Sequence, residues 1–80
     1  MARNSMKKAL LKEAATNRIQ EFGPSTAAEI CFYGRTNKGR LLKDYKAVGV
    51  SPQQAFNWLR ADSDFIMVKA NHFKLRAKHG

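Results

Sequence analysis

Three polar side chains have the types and the spacing that reading DNA bases requires. Gln53, Asn57 and Arg60 are separated by four and three positions, which places them on one face of an α-helix, with Phe56 at its edge. Gln and Asn can each form two hydrogen bonds with adenine, and Arg can form two with guanine. We therefore expect base contacts in a major groove from these four residues. The solvent-facing side of an ordinary surface helix has the same polar composition, so the pattern alone leaves both interpretations open.

Basic residues surround this face in the sequence. Before it, five basic residues stand against one acid between positions 35 and 46. We expect phosphate contacts, which add affinity without sequence information, from these five and from one hydroxyl: Arg35, Lys38, Arg40, Lys43, Lys46 and Ser51. After it, four residues of a predicted β-hairpin could contact the DNA backbone or minor groove: Lys69, His72, Lys74 and Arg76. Alternatively, the basic residues between 35 and 46 form an ordinary solvated face. The polar residues of the hairpin could likewise be exposed to solvent without contacting DNA.

Other kinds of site lack the residues that they need. His72 and His79 do not have metal-ligand spacing with each other or with Cys31. A single cysteine allows neither an internal disulfide nor a Cys-based zinc site. Asp62 and Asp64 fit the end of a helix and a loop better than a metal pair. No nucleophile has a base nearby and there is no glycine-rich phosphate loop, so we expect a protein that is not an enzyme and needs no metal or cofactor.

The net charge points to a polyanionic partner. The 80 residues carry 15 Lys and Arg against six Asp and Glu, which gives a net charge of +9 and a pI near 10.2. Nucleic acid is the commonest partner for so basic a small chain. The apolar content of 44% is that of a globular domain, and no run is apolar enough for a signal peptide or a membrane span. We expect one domain over residues 1–80 that is cytoplasmic, nucleoid-associated in a bacterium or virus, or nuclear.

The segments that would position these residues are mostly helical. Apolar residues at helical spacing predict a first helix over about 5–22, with Ser5 as N-cap, Gly23-Pro24 as its end and residues 1–4 as a loose tail. Its predicted apolar positions are Met6, Leu10, Leu11, Ala14, Ala15, Ile19 and Phe22. Thr26 and Glu29 have capping-box spacing for a short helix over 26–33, closed by Gly34. A loop over 34–40 and a third helix over 41–49 follow.

The C-terminal half carries the sharpest local signals. Ser51 is a favoured N-cap, Pro52 suits the first helical position and Gln54 completes a capping box, so a helix should span about 52–61. Ala55, Trp58 and Leu59 would face the core. Two β-prone runs, 65–69 and 72–76, predict a hairpin that turns at Ala70-Asn71, before a frayed tail over 77–80. Four aromatic residues could pack in the core or stack on bases: Phe32, Tyr33, Phe65 and Phe73. For Phe65, core packing is favoured.

Taken in order, these segments resemble the winged helix-turn-helix family. "GPSTAAEI" is similar to the opening of that family's second helix, "VGVSPQQAFNWL" to its turn and recognition helix, and "DFIMVKANHFKLR" to its wing. The resemblance implies an α+β, mostly helical fold with three to four helices followed by a C-terminal β-hairpin wing, and binding to double-stranded DNA. Tyr45, Asp44 and the long 34–40 loop depart from the family pattern. The 41–49 helix is therefore either unusually packed or an insertion, with 26–33 in the usual position.

The resemblance favours a transcriptional regulator or an architectural DNA-binding protein. Two other functions remain open from the sequence. One is an RNA-binding domain that uses the same basic surface. The other is a protein-interaction module, such as a small viral or accessory protein that docks on an acidic partner surface. The sequence does not specify an oligomeric state.

Overall fold

The described residues form three helices and one three-stranded antiparallel sheet. The structure is a computed structural model that describes residues 2–42 and 49–76. The helices are α1 (Ala2–Phe22), α2 (Ala27–Tyr33) and α3 (Pro52–Ala61). Strand β1 (Ser25–Thr26) lies between α1 and α2, and strands β2 (Phe65–Lys69) and β3 (His72–Leu75) follow α3. The strand order is β1-β3-β2, so the hairpin strand β3 is central. The predicted α+β, mostly helical class is confirmed at this level.

Helix α1 is longer than its sequence pattern predicts. It begins at Ala2 rather than at Ser5, so the predictions of an N-terminal tail over residues 2–4 and of a Ser5 N-cap are wrong. Its central stripe packs as expected, with Leu11, Ala14, Ala15 and Ile19 buried. The two outer members of the predicted stripe do not pack: Met6 is 57% exposed and Phe22 is 63% exposed. Both lie near the ends of α1, beyond the stripe that the core covers.

Helix α2 begins and ends where its sequence predicts. Thr26 Oγ1 accepts a hydrogen bond from the Glu29 amide at 3.1 Å, and Glu29 Oε1 accepts one from the Thr26 amide at 2.9 Å. This confirms the capping box. Gly34 closes the helix by donating its N–H to the Ile30 carbonyl at 2.8 Å. Ala27, Ile30 and Cys31 form the predicted buried face.

The segment after α2 is an ordered turn. Arg35 and Leu41 form an isolated antiparallel bridge, and Thr36 N–H donates to the Arg40 carbonyl at 2.8 Å. Gly39 adopts a φ of 82°, which favours glycine. Leu41 therefore lies in a bridge, and the next residue, Leu42, has 3₁₀-helical backbone. The rest of the predicted 41–49 helix, including Lys43, Asp44, Tyr45 and Lys46, falls mainly on residues 43–48, which lie outside the described residues.

Helix α3 and the hairpin match their predicted positions closely. Ser51 is the N-cap of α3, and its Oγ accepts from the Gln54 amide at 3.2 Å. The hairpin turns at Ala70-Asn71, where Asn71 has a φ of 59°, a conformation that Asn tolerates better than most residues. The register slips between Met67 and Lys69, so this short turn is accompanied by a bulge. The predicted tail over 77–80 lies outside the described residues.

Strand β1 is an element that the sequence analysis missed. Ser25 pairs with Phe73 and Thr26 with His72, which adds a two-residue strand to the edge of the hairpin. Thr26 had been assigned only to the start of α2, and it serves as both strand residue and N-cap. The pairing fixes the start of α2 against the hairpin. One core then joins the three helices to the sheet, and its largest fully buried apolar side chains are Phe73, Leu11, Ile30, Leu42 and Leu59.

Candidate nucleic-acid interface

The outer face of α3 presents the polar row that its spacing predicts. Gln53, Asn57 and Arg60 are all exposed, whereas Ala55 and Leu59 are buried on the other side. Gln54 adds a further exposed amide. This outer face has side-chain donors and acceptors but no carboxylate. It can therefore approach a polyanion and hydrogen-bond base edges without charge repulsion from its own side chains.

Phe56 is positioned differently from its polar neighbours. Its ring is half-buried and packs edge to face on Phe73, with the ring centroids 5.6 Å apart and an interplanar angle of 65°. It also lines a groove between the starts of α2 and α3 and the hairpin turn. Thr26, Ala28, Gln53 and Asn71 are other walls of this groove. A base contact by Phe56 stays a prediction, limited to the part of the ring that faces the groove.

Two lysines of α1 extend the surface beside the start of α3. Lys7 and Lys8 line a cleft together with Ser51, Gln54 and Trp58. The Lys8 Nζ lies 5.6 Å from the centre of the Trp58 ring, a cation–π distance. Ser51 Oγ accepts from the backbone, so its O–H remains a donor that could reach a phosphate. Helical spacing within α1 gives these lysines no predicted role, because it says nothing about which helix packs alongside.

Trp58 itself is half-buried rather than a full member of the core. It packs against the buried cluster and follows Leu59's side of the helix only in part, because its own side chain is half-exposed. The prediction that Ala55, Trp58 and Leu59 all face the core is therefore correct for Ala55 and Leu59 and only partly correct for Trp58.

The acids at the end of α3 are engaged by α1. Asp62 is the C-cap of α3, and both Asp62 and Asp64 pair with the ammonium group of Lys12. The hydrogen bond to Asp64, followed by the charge of Asp62, raises the pKa of Lys12 above its ordinary value. Asp62 also accepts from the Asp64 amide at 2.9 Å. These carboxylates hold α1 against α3, which agrees with their interpretation as a helix end and a loop.

The basic turn (Arg35, Lys38 and Arg40) is braced against α1. Asn17 Nδ2 donates to the Arg35 carbonyl at 3.0 Å and to Asn37 Oδ1 at 2.9 Å. Glu13 accepts from the Asn37 amide on the same side. All three basic side chains are exposed, and Arg35 Nη1 donates to the Gly39 carbonyl at 2.8 Å. The turn presents its cations from a fixed backbone, while Lys43 and Lys46, predicted to act with them, lie outside the described residues.

The hairpin residues divide into exposed cations and one partly buried imidazole. Lys69, Lys74 and Arg76 are exposed, and Arg76 Nε donates to the Ser63 carbonyl. His72 is half-buried with its Nδ1 2.7 Å from the Ala70 carbonyl. Because a carbonyl oxygen only accepts, Nδ1 carries the proton in this contact. Of the three exposed cations, Lys69 is closest in sequence to the turn that borders the α2–α3 groove.

Among the described residues, the cysteine is buried and the potential metal ligands are not clustered. Cys31 is 2% exposed, and burial raises the pKa of its thiol to about 11, which keeps it protonated at neutral pH. Among residues 2–42 and 49–76, no group of three or more His, Cys, Asp or Glu side chains is placed to hold a metal ion. Over the same residues, no helix has both the length and the apolar character needed to cross a membrane.

Comparison of the chain with protein-family models, with curated proteins and with solved structures finds no match. The candidate interface therefore depends on the chain's own residues and geometry.

Proposed function

We propose that this protein binds double-stranded DNA by placing α3 in the major groove, as a small regulator or architectural protein. The observation that carries the proposal is the exposed row of Gln53, Asn57 and Arg60 on a helix whose opposite side is buried. These are the side-chain types that pair bidentately with adenine and guanine. The N-terminal part of such a helix is the part that usually reaches base edges.

The arrangement of elements supports the resemblance to a winged helix-turn-helix. The order α1, β1, α2, α3, β2, β3 and the strand order β1-β3-β2 place the β2–β3 hairpin next to the starts of α2 and α3. In this proposal α2 is the helix that precedes the recognition helix, the segment between them is an insertion relative to the family pattern, and the hairpin is the wing. Lys69, His72, Lys74 and Arg76 would then contact the backbone or minor groove beside the major-groove site.

The charge distribution also favours a polyanionic ligand. The carboxylates of Glu13, Glu29, Asp62 and Asp64 accept hydrogen bonds or pair with cations inside the protein. Meanwhile the basic turn, Lys8 and Arg60 are exposed. Ion pairs with Lys12 and Arg18 thus offset part of the negative charge within the protein. Lys7 and Lys8, beside Ser51, are added to the expected phosphate contacts on this basis.

Selection of a preferred duplex from a random library tests the readout by α3. We expect Asn57→Ala and Arg60→Ala each to lose about 1–3 kcal/mol of discrimination at one position of the selected site, because a bidentate base contact is removed. Both side chains are exposed, so the fold should remain intact, which circular dichroism checks. Gln20→Ala, an exposed substitution on α1, is the matched control and should leave the selected site unchanged.

The outcomes separate direct readout from the alternatives. Equal weakening on every sequence would reassign Asn57 and Arg60 to phosphate contact. Absence of enrichment by the parent protein would refute sequence readout. Tighter binding to duplex RNA in parallel titrations would favour the RNA-binding alternative, and recovery of one protein partner at high salt without DNA binding would favour a docking module.

A further inference from the structure

A second exposed surface, separate from the polar row of α3, combines aromatic rings with guanidinium groups. Phe22 ends α1 and Tyr33 ends α2, and their side chains are 63% and 62% exposed. The Arg18 guanidinium carbon lies 4.4 Å from the centre of the Phe22 ring and 5.6 Å from that of Tyr33. Arg35 of the basic turn lines the same depression. Together Arg18, Phe22, Tyr33 and Arg35 define the aromatic cleft.

Arg18 is held in the cleft by stacking more than by hydrogen bonding. Its side chain is only 17% exposed, and its nearest carboxylate, Glu29 Oε2, is 4.0 Å from Nη2. Its Nε is buried without a hydrogen-bond partner among the described residues. The contacts with two rings therefore position this cation. Phe22 and Tyr33 nevertheless remain exposed as residues, which leaves aromatic surface for a ligand.

We propose that the aromatic cleft binds an unpaired strand of DNA, with bases stacked on Phe22 and Tyr33 and the backbone beside Arg35. Aromatic rings next to a cationic groove are the combination that binds single strands, because every base has a face that can stack. This activity does not depend on the duplex contact of α3 and could serve a strand end or a locally opened duplex.

Charge complementarity favours a nucleic acid over an apolar partner. Arg18 and Arg35 are within the cleft, and Lys38 and Arg40 follow in the same turn, whereas Glu21 is the acid among the described residues that line it. Burying this surface under an apolar partner would desolvate the guanidinium groups without compensation. Asn17, which also lines the cleft, already donates to Arg35 and Asn37. Both of its amide hydrogens are thus engaged within the protein. We assign the strand to DNA, the nucleic acid proposed for α3, and in this choice the assignment rests on the proposed function.

Fluorescence anisotropy with a short labelled oligothymidine tests the assignment. We expect Phe22→Ala and Tyr33→Ala each to weaken strand binding about fivefold or more, because a stacked base is lost. Tyr33→Phe keeps the ring and should retain binding. Phe32→Ala removes a 46% exposed aromatic residue that does not line the cleft, and it should also retain binding. Glu21→Gln should strengthen binding by removing a carboxylate beside the backbone.

Titration of the same variants with duplex DNA keeps this proposal distinct from the function proposed for α3. Phe22→Ala and Tyr33→Ala should bind duplex like the parent, whereas Asn57→Ala should keep its affinity for the single strand. Arg35 belongs to both surfaces, so the ring variants and not an Arg35 variant are diagnostic. Folding is verified by circular dichroism for each.

Several results would overturn the assignment. These are no strand binding by the parent, equal binding by the parent and both ring-to-alanine variants, and tighter binding of the matching oligouridine RNA. A dimer detected by sedimentation that Tyr33→Ala abolishes, with no strand binding, would assign the cleft to a second copy of the chain instead.

Discussion

At single residues, helical spacing predicts correctly which side chains share a face, but it does not always predict which of them are buried. Spacing placed Gln53, Asn57 and Arg60 on the exposed side of α3 because the positions of one helix are fixed relative to each other. It also assigned Phe22 to the apolar stripe of α1, but Phe22 is exposed. The apolar stripe identifies residues that share one face of the helix. Whether a given residue of that face is buried depends on another element packing against the same turn of the helix. At Phe22 α1 ends, and the side chain meets Arg18 instead of the core.

Trp58 is the residue whose partial burial has the clearest energetic consequence. It is half-buried against the core, and the Lys8 ammonium group lies over its ring. We expect Trp58→Ala to lower the free energy of unfolding by about 2 kcal/mol, less than the 3–5 kcal/mol of a fully buried tryptophan. Urea denaturation followed by circular dichroism measures the loss. Trp58→Phe retains an aromatic ring and is the control, with a smaller expected effect.

A Trp58→Ala variant as stable as the parent would mean that the ring contributes no packing. A loss at the full-burial value would mean that Trp58 belongs to the core. Either result would change the face that α3 presents to solvent.

At the scale of elements, helix caps could be predicted from the sequence, but contacts between segments that are distant in the chain could not. The starts of α2 and α3 follow from Thr26, Glu29, Ser51 and Pro52, whose caps involve only residues within three positions. Strand β1 was missed because two residues give no alternating pattern and their pairing partner is far along the chain. The hydrogen bonds that join Asn17 and Glu13 to Arg35 and Asn37 are equally nonlocal.

The junction of α2 with the following turn requires glycine at position 34. A Cβ there would lie 2.3 Å from the Ile30 carbonyl oxygen and 3.2 Å from the Ala14 Cβ. The backbone must therefore move, and we expect Gly34→Ala to destabilise the protein by about 1–3 kcal/mol in thermal or urea unfolding. Gly39→Ala is the comparison, since nothing lies within 4 Å and only its φ of 82° opposes the change. A Gly34→Ala variant as stable as the parent would contradict this close approach.

The cap of α2 makes stability depend on pH in acid. The hydrogen bond from the Thr26 amide, aided by the charge of Arg18, lowers the pKa of Glu29 below its ordinary value of 4.5. Its stabilising contribution is complete above that ordinary value and is lost as pH falls through the lowered value in the folded protein. We expect the melting temperature of Glu29→Gln to fall less steeply than that of the parent below pH 4.5.

Glu21→Gln controls for the general effect of removing a carboxylate, because it stands outside the cap. Parallel melting curves for the parent and Glu29→Gln across the acid range would show that Glu29 does not contribute to the acid sensitivity.

For the whole molecule, net charge was the most informative sequence feature, but its arrangement came only from the fold. The chain has a net charge of +9, and packing places Lys12 between Asp62 and Asp64 while the basic turn remains exposed. Composition alone cannot distinguish a surface with evenly distributed charge from this arrangement. The distribution predicts that particular cations, and not the total charge, determine affinity for duplex DNA.

Salt dependence of duplex binding tests that prediction. Each phosphate that a cation neutralises adds about 0.9 to the slope of log affinity against log salt concentration. Changing Arg35, Lys38 and Arg40 together to Ala should therefore reduce the slope by up to about 2.7, and Lys38→Ala alone by about 0.9. Gln20→Glu on the exposed side of α1 lowers the net charge by as much as Lys38→Ala, yet should leave the slope nearly unchanged. Equal effects of these two single substitutions would mean that net charge alone drives binding, and an unchanged slope for the triple variant would remove the basic turn from the interface.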